Sequence, residues 1–243
     1  MSRSYSMYAR YYDALNTDYD LWHSVIGKSL EGEHETGKMI EFGCGTGNIL
    51  QEYAGAYDVF GVDASQEMID QAAAKIPNGH FYRDDMVTFS TSETFDVALC
   101  LFDTINHVLD LRRWRQFFEN VASMLSSTGV FIVDANTTTR LNRIASFPPL
   151  FKAFDDNFMI MDLLQSNETN FVFNVRIFSS VGEHLYREEV EQIEETTRAG
   201  RDTYSELNAV FSSVQVFNEN EDRFSPENFE ENERYRWFYV CRP

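Results

Sequence analysis

Between an apolar run, Lys38-Met39-Ile40-Glu41-Phe42, and an amphipathic stretch from Asn48 to Ala54 stands a turn with glycine at every second position, Gly43-Cys44-Gly45-Thr46-Gly47. Glycine has no Cβ, so such a turn tolerates positive φ. It also lets a ligand approach the backbone closely at the N-terminus of the following helix. A strand, a glycine turn and a helix in that order open a βαβ unit, which commits the chain to a largely parallel sheet. The spacing G-x-G-x-G differs from the G-x-G-x-x-G of dinucleotide folds. No G-K-[ST] follows, which excludes a phosphate-cradling P-loop.

The alternation continues through the first half. Tyr57–Asp63 reads as a second strand and Ser65–Lys75 as a helix, with Ser65 placed to cap it and Glu67, Asp70 and Lys75 placed to suit its dipole. Pro77-Asn78-Gly79 is a turn, His80–Tyr82 a short third strand and Phe95–Leu101 a fourth. Trp114, Phe117, Phe118, Val121 and Leu125 recur at helical spacing over Arg112–Leu125. Ser126-Ser127-Thr128-Gly129 then reads as a stop before a fifth strand, Val130–Asp134. Strands this apolar imply a sheet covered on both faces.

After Pro148-Pro149 the period changes to two. Asn157–Leu164, Phe171–Phe178 and Glu183–Thr197 alternate apolar and polar residues, with turns at Ser166–Asn170 and Ser179–Gly182. The expectation is an antiparallel three-stranded meander whose third strand, with Glu183, Glu188, Glu189, Glu191, Glu194 and Glu195, is a solvated edge. Asp202–Phe211 reads as a last helix; Ser213–Asn218 and Tyr235–Arg242 read as final strands joined by an acidic loop, Asn218–Asn232. The expected fold class is α/β: a Rossmann-like, doubly wound, mostly parallel seven-stranded sheet with a final antiparallel strand. Residues 37-150 and 199-243 would form that domain, 1-36 a helical cover and 151-198 an antiparallel β insert.

Composition narrows the partners. A net charge of −19 repels phosphate backbones and anionic lipid surfaces, so nucleic acid and membrane are not expected partners. No stretch approaches the roughly 20 apolar residues of a membrane span, and the first ten residues lack the apolar run of a secretory signal. Cys44, Cys100 and Cys241 lie far apart and are odd in number, the usage of a reducing compartment, so a cytoplasmic location is expected. A metal is not expected, because His23, His34, His80, His107 and His184 show no ligand spacing with one another or with the cysteines.

Three places bear on chemistry. The glycine turn is the first. Asp63 closes the second strand twenty residues after Gly43, either as an acceptor for two sugar hydroxyls or as an acid favouring the next helix dipole. Asp84-Asp85-Met86 follows the third strand. There a carboxylate accepts from an exocyclic amine and a thioether packs on a purine ring, or the acids merely solvate a turn.

In this order, Glu41-x-Gly43-Cys44-Gly45-Thr46-Gly47, Gly61-Val62-Asp63-x-Ser65-x-x-Met68, Asp84-Asp85-Met86 and Phe95-Asp96-Val97 leading to Leu101-Phe102-Asp103-Thr104-Ile105-Asn106-His107 resemble the class I S-adenosylmethionine-dependent methyltransferases. The likeness covers roughly Tyr5 to Asn136 and extends more loosely beyond. The opening Met7–Leu15, with Asp18-Tyr19-Asp20-x-Trp22, is similar to a subgroup containing small bacterial methyltransferases of unassigned substrate and, more distantly, amino-sugar N,N-dimethyltransferases and glycine-type N-methyltransferases.

The resemblance implies S-adenosyl-L-methionine as methyl donor, S-adenosyl-L-homocysteine as product and a small-molecule amine or hydroxyl as acceptor. It places Gly43, Gly45 and Gly47 beneath the methionine moiety, Asp63 on the ribose, Asp85 and Met86 at the adenine, and the backbone around Leu101 at the amino group. Tyr12 would stand against the carboxylate end. Trp22, Glu41, Cys44, Ala64, Met68 and Asp84 complete the expected contacts, while Tyr11, Tyr12 and Trp22 have a second reading as core aromatics.

His107 follows the fourth strand at the carboxyl edge, where α/β sheets bind ligands, and histidine is the side chain whose ordinary pKa lies nearest neutrality. It reads either as the acceptor's proton acceptor or as a structural residue, with Asp103 and Asn106 orienting the acceptor or the segment itself. Competing functions are a methyltransferase of tRNA or protein, a dehydrogenase, and a non-catalytic binding module. The post-strand Asp103-Thr104-Ile105-Asn106 lacks the prolines of the macromolecular acceptor motif, and the glycine spacing opposes the dehydrogenase. A homodimer through the meander edge is compatible with the pattern.

Overall fold

The computed structural model describes Tyr5, residues 7–220, the backbone of 223–224 and residues 235–243. Most of the acidic loop expected over Asn218–Asn232 therefore lies outside the described residues, as do the first four residues of the cover. A 3-10 turn, Tyr8–Tyr11, leads into α1 (Tyr12–Leu15) and α2 (Asp20–Leu30). Then β1 (Gly37–Phe42), α3 (Asn48–Tyr53), β2 (Tyr57–Asp63), α4 (Gln66–Lys75), β3 (His80–Arg83) and β4 (Phe95–Cys100) alternate as expected. A second 3-10 turn, Thr104–His107, precedes α5 (Arg112–Met124), β5 (Leu125–Asn136) and α6 (Thr138–Ala145). The insert strands are β6 (Leu150–Phe154), β7 (Asn157–Gln165), β8 (Asn170–Gly182) and β9 (Leu185–Thr196), and the chain ends with α7 (Gly200–Asn208), β10 (Ser213–Asn218), β11 (Arg223–Phe224) and β12 (Arg236–Arg242).

The main sheet has the order β11-β10-β12-β5-β4-β1-β2-β3. The five strands β5-β4-β1-β2-β3 are parallel, with β3 at the edge, and β12 runs antiparallel to both β5 and β10. The seven expected strands are thus present, with the two-residue β11 added at one edge. Helices α2 and α3 cover one face, burying Ile26, Ile49 and Leu50 against Met39, Val97 and Ile132. Helix α5 covers the other: Trp114, Phe117, Phe118 and Val121 form one apolar stripe against Phe42, Phe95 and Phe131. Burying each such aromatic contributes about 1.5–3 kcal/mol relative to exposure, and this fixes α5 beneath the sheet. Among the described residues no helix is long and apolar enough to cross a membrane.

The second sheet, β6-β7-β8-β9, is wholly antiparallel. Its inner face (Met159, Val175, Ile177, Ile193) packs on Met7, Tyr8 and Leu15 of the cover, so cover and insert form one lid-like layer. It has four strands rather than three, because Leu150–Phe154 pairs with β7 directly after the two prolines. The turn expected at Ser179–Gly182 is strand, and the chain reverses at Glu183-His184 instead, with φ 154° at Gly182 and 57° at His184. The stop expected at Ser126–Gly129 is also strand. A register irregularity sets Phe95 opposite Leu125 but Val97 opposite Val130, and the extra residues are absorbed there. Nor is β9 a simply solvated edge, since Glu191 and Glu195 are buried.

Candidate active site

The carboxyl ends of β1, β2 and β4 meet beneath the cover. Gly43, Gly45 and Gly47 all adopt left-handed backbone (φ 71°, 52° and 77°). A Cβ on Gly43 would overlap the Thr104 side chain, and Gly45 lies between the Tyr12 ring and Met68 Sδ, each 4.0 Å from where its Cβ would stand. The turn is therefore a bare backbone cradle rather than a loose loop. Asp63 Oδ2 accepts from Gly45 N–H (3.0 Å) and Oδ1 from Ser65 N–H (2.8 Å), so the second strand's acid and the glycine turn are one unit. Burial pushes its carboxyl upward, and these amide bonds hold the rise back. Asp84 N–H donates to the Asp63 carbonyl (3.0 Å), bringing the Asp84-Asp85-Met86 segment alongside.

Asp85 itself is more committed than the sequence implied. Its Oδ2 takes Arg113 Nη2 (2.7 Å) and its Oδ1 the Val87 amide (2.9 Å), so this carboxylate serves α5 and its own turn. Burial acts to raise it, but Arg113 outweighs that and leaves it below the ordinary range. Ala64 is exposed, its carbonyl accepting from Arg83; Cys44, Met68 and Leu101 are buried. Glu41, on β1, is buried as well, and its Oε2 has no hydrogen-bond partner among the described residues. Burial and then the charge of Asp63 push the Glu41 carboxyl well up.

After β4 the backbone turns left-handed with no glycine to ease it: Phe102 and Asp103 sit consecutively at φ 61° and 56°. Left-handed non-glycine residues cost about 1–3 kcal/mol each and persist only where surroundings over-determine them. Here Trp22 stacks on Phe102 with ring centroids 4.2 Å apart, and Asp103 N–H donates to the Asp134 carboxylate. Arg236 from β12 bonds Asp103 Oδ1 (2.7 Å) and Asp134 Oδ2, and lies over the Trp22 ring. Trp22 Nε1 is left buried without a partner among the described residues.

His107 follows on the second 3-10 turn. A carbonyl only accepts, so Nδ1–H donates to Glu194 O (3.0 Å); neutral His107 is then the Nδ1–H tautomer, with Nε2 accepting from the Tyr5 hydroxyl (3.0 Å). Asn106 is a structural pin, donating to the carbonyls of Asn136 (3.1 Å) and Thr196 (2.8 Å). The sequence reading found no ligand-like grouping, yet the functional atoms of Asp103, His107 and Glu195 lie within 4.8 Å of one another. Strand β9 brings Glu195 across some ninety positions of chain, which no spacing could show. The Arg236 guanidinium already occupies Asp103 and opposes a second cation there.

A further missed residue is Asp13. Its carboxylate accepts from Thr46 Oγ1 (2.6 Å), Asn48 Nδ2 (2.9 Å) and Lys75 Nζ (2.9 Å), pinning the cover to the glycine turn and to α4. Burial acts to raise this acid, but the three hydrogen bonds and the Lys75 charge outweigh it, so its folded pKa is depressed. A depressed carboxylate stabilises above its unfolded pKa and loses that contribution as pH falls through the folded value; the latch should open only in acid. Asp13→Asn is expected to speed limited proteolysis within residues 7–30 several-fold at neutral pH while moving the main thermal transition little, since the site is half open to solvent. A cleavage rate equal to wild type would show that the cover is held by its apolar contacts alone.

The comparisons with known proteins agree with this geometry. The family model described as "Methyltransferase domain" matches residues 39–129. A protein of Geobacillus sp. (strain WCH70), named as a presumed methyltransferase, is 28% identical over 150 residues, covering 58% of this chain and 61% of its own. The dTDP-4-amino-2,3,4,6-tetradeoxy-D-glucose N,N-dimethyltransferase of Saccharopolyspora spinosa is 26% identical over 129 residues, 48% of this chain and 52% of its own. The matches therefore span about half to three-fifths of these curated relatives. Among solved structures, an S-adenosylmethionine-dependent methyltransferase from Clostridium acetobutylicum ATCC 824 superimposes with TM-score 0.81 at 21% identity, over 98% of each chain. Residues 39–129 of this chain thus match a methyltransferase-domain model, and the whole chain shares the fold of S-adenosylmethionine-dependent methyltransferases of known structure.

Proposed function

We propose that the chain transfers a methyl group from S-adenosyl-L-methionine to a small-molecule acceptor, with nitrogen favoured over oxygen. The observation that carries this reading is the union of the glycine cradle with Asp63 through the Gly45 amide, beside two buried polar atoms that lack partners, Glu41 Oε2 and Trp22 Nε1. Unpartnered buried groups are costly, and a ligand bearing both a cationic amine and a carboxylate fits an orphan acceptor and an orphan donor. Bound there, S-adenosylmethionine supplies an electrophilic methyl group on a cationic sulfur. Gly43, Gly45 and Gly47 would give it a floor, Asp63 would take the ribose hydroxyls, and Met86 with the Asp85 segment would border the adenine. Tyr12, Trp22, Cys44, Ala64, Met68, Asp84 and Leu101 would complete that pocket.

The acceptor would enter between the cover and the insert, against Tyr5, Tyr12 and His107. The chain's own contribution is to orient and desolvate the reacting groups, and such proximity can supply ~7–11 kcal/mol. A neutral amine then needs only a place for its proton, which the Nε2 of His107 would provide once the acceptor displaces the Tyr5 hydroxyl from it. The N,N-dimethyltransferase relative supports nitrogen as acceptor atom. Three buried free thiols support a reducing, cytoplasmic setting. Calorimetry with S-adenosylhomocysteine tests the reading: micromolar binding is expected, weakened at least tenfold by Asp63→Asn. A well-folded chain that binds neither donor nor product would refute it.

A further inference from the structure

We propose that Arg140 and Asn136 form a subsite for an anionic group, carboxylate or phosphate, carried by the small molecule that is methylated. The inference rests on the methyltransferase reading and adds to it a class of acceptor: an amine that bears an acidic group.

Three segments meet at this point. Strand β5 ends at Asn136, whose Nδ2 donates to Glu195 Oε2 on β9 (3.1 Å). Helix α6 starts two residues later, and Thr138 Oγ1 shares a hydrogen bond with Thr197 Oγ1 (2.6 Å), just past β9. Arg140, in the first turn of α6, is near enough for its charge to act on Glu195, though the two form no ion pair. Asn106 Nδ2 ties the group together through the carbonyls of Asn136 and Thr196. His107, next along the chain, donates from Nδ1 to Glu194 O, so the subsite adjoins the place proposed for the reacting nitrogen.

Two polar atoms here are unsatisfied. Asn136 is 3% exposed, and its Oδ1 has no hydrogen-bond partner among the described residues. Arg140 is half-buried, and its Nε is buried without a partner among the same residues. Orphaned buried groups are costly, and an orphaned donor with an orphaned acceptor calls for a ligand that carries both complements. The neighbouring acids do not fill that need. Asp103 is engaged by Arg236, Glu191 by the Tyr8 amide and Glu195 by Asn136. Burial, and then the charge of Asp103, push the Glu195 carboxyl well up, which makes it a poor counter-ion for Arg140. Acids outnumber bases 39 to 20 in this chain, so an arginine left unmatched beside the cleft selects an anion from outside.

A guanidinium presents Nε–H and Nη–H as a fork that fits a carboxylate or a phosphate. Asn136 Oδ1 then accepts a hydroxyl or amine hydrogen of the same ligand. The charge of Arg140 opposes a metal ion or a purely cationic amine there. The subsite also stands apart from the proposed donor cradle. Strand β5 lies two strands from β1, about 10 Å across the sheet, whereas the glycine turn and Asp63 stand at β1 and β2. The anionic group therefore belongs to the acceptor. Tyr5, which feels the charge of Glu195 and bonds His107 Nε2, covers the approach until the acceptor displaces it.

The test is proton–nitrogen NMR of the whole chain. It follows the Arg140 Nε–H signal, assigned by its loss in Arg140→Lys, and the Asn136 side-chain amide, assigned by Asn136→Ser. Sodium acetate and inorganic phosphate are the probes, with sodium chloride at equal ionic strength as the blank. Saturable movement of both signals at millimolar acetate or phosphate is expected, and the anion acting at the lower concentration identifies the acidic group. Arg140→Gln should weaken the response of the Asn136 amide at least tenfold, and Arg140→Lys should recover part of it. Equal movement with chloride, no movement with either anion, or an unchanged response in Arg140→Gln overturns the subsite. Glycine and O-phosphoethanolamine join an amine to each anion, and one of them should also move the His107 ring signals; if neither does, the acceptor assignment falls. S-adenosylhomocysteine calorimetry is run separately. Anion binding at Arg140 in a chain without that affinity refutes the methyltransferase reading alone, and affinity without anion binding refutes the subsite alone.

Discussion

Gly43→Val is expected to cut S-adenosylhomocysteine affinity by two to three orders of magnitude while leaving the chain folded. The position has φ 71°, where an L-residue costs about 1–2 kcal/mol, and its new side chain would meet Thr104 on the strained turn after β4. Overpacking of that kind adds about 1–3 kcal/mol. Relief can come only by moving the glycine turn or the Thr104 segment, and both border the proposed cleft. At about 1.4 kcal/mol per tenfold, roughly 3–4 kcal/mol of misfit gives the stated loss. Gly55→Ala is the matched control: nothing lies within 4 Å of its Cβ position, so binding should be unchanged. Calorimetry on both variants, with circular dichroism to confirm folding, checks the pair. Gly43→Val affinity within tenfold of wild type would mean the ligand rests elsewhere.

The parts of this site that the sequence displayed are those made by short stretches of chain. A strand end, a glycine turn and the next strand's acid are local, and the Gly45–Asp63 bond only closes a contact that parallel pairing of β1 with β2 already imposes. Asp103, Glu195 and Arg236 meet from three distant segments, and nothing in their neighbours announces it. Strand β9 shows why residue type could not substitute for structure. Glu189, Glu191, Ile193 and Glu195 face inward and Glu188, Val190, Gln192 and Glu194 outward, so acids occupy both faces.

The inward acids are tolerated because each has a partner: Arg10 for Glu189, the Tyr8 amide for Glu191, and Asn136 for Glu195. Similarly, Ser126–Gly129 and Ser179–Gly182 have the composition of turns, yet strand pairing outside the segment overrides them. Helix α6 is not legible in the sequence because it buries only Leu141 and so lacks a long apolar period; its one local signal is the Thr137 cap, accepting from Arg140 N–H. Sequence alone leaves Asp85 open to a ligand or to solvent, because Arg113, its partner, lies on α5, far along the chain.

Arg236→Met should cost about 3–5 kcal/mol of folding stability, because removing one member of a buried ionic cluster leaves the others uncompensated. Arg236 is 4% exposed and Asp134 fully buried, so water cannot replace the guanidinium at either Asp134 or the inner oxygen of Asp103. Methionine keeps the apolar stem but loses the cation over Trp22, a contact worth about 0.5–2 kcal/mol. Arg236→Lys retains the charge without the fork that spans two carboxylates, and should fall between the two. Urea denaturation at neutral pH measures the loss. The gap from wild type should narrow in acid, where the stranded carboxylates of the variant take protons. A loss below about 1 kcal/mol would show that the cluster is no more than a replaceable packing unit. The same variant separates the two supports of the left-handed turn at Phe102 and Asp103. If stability and S-adenosylhomocysteine affinity fall together, β12 holds the turn; if affinity survives, the stack of Trp22 on Phe102 holds it alone.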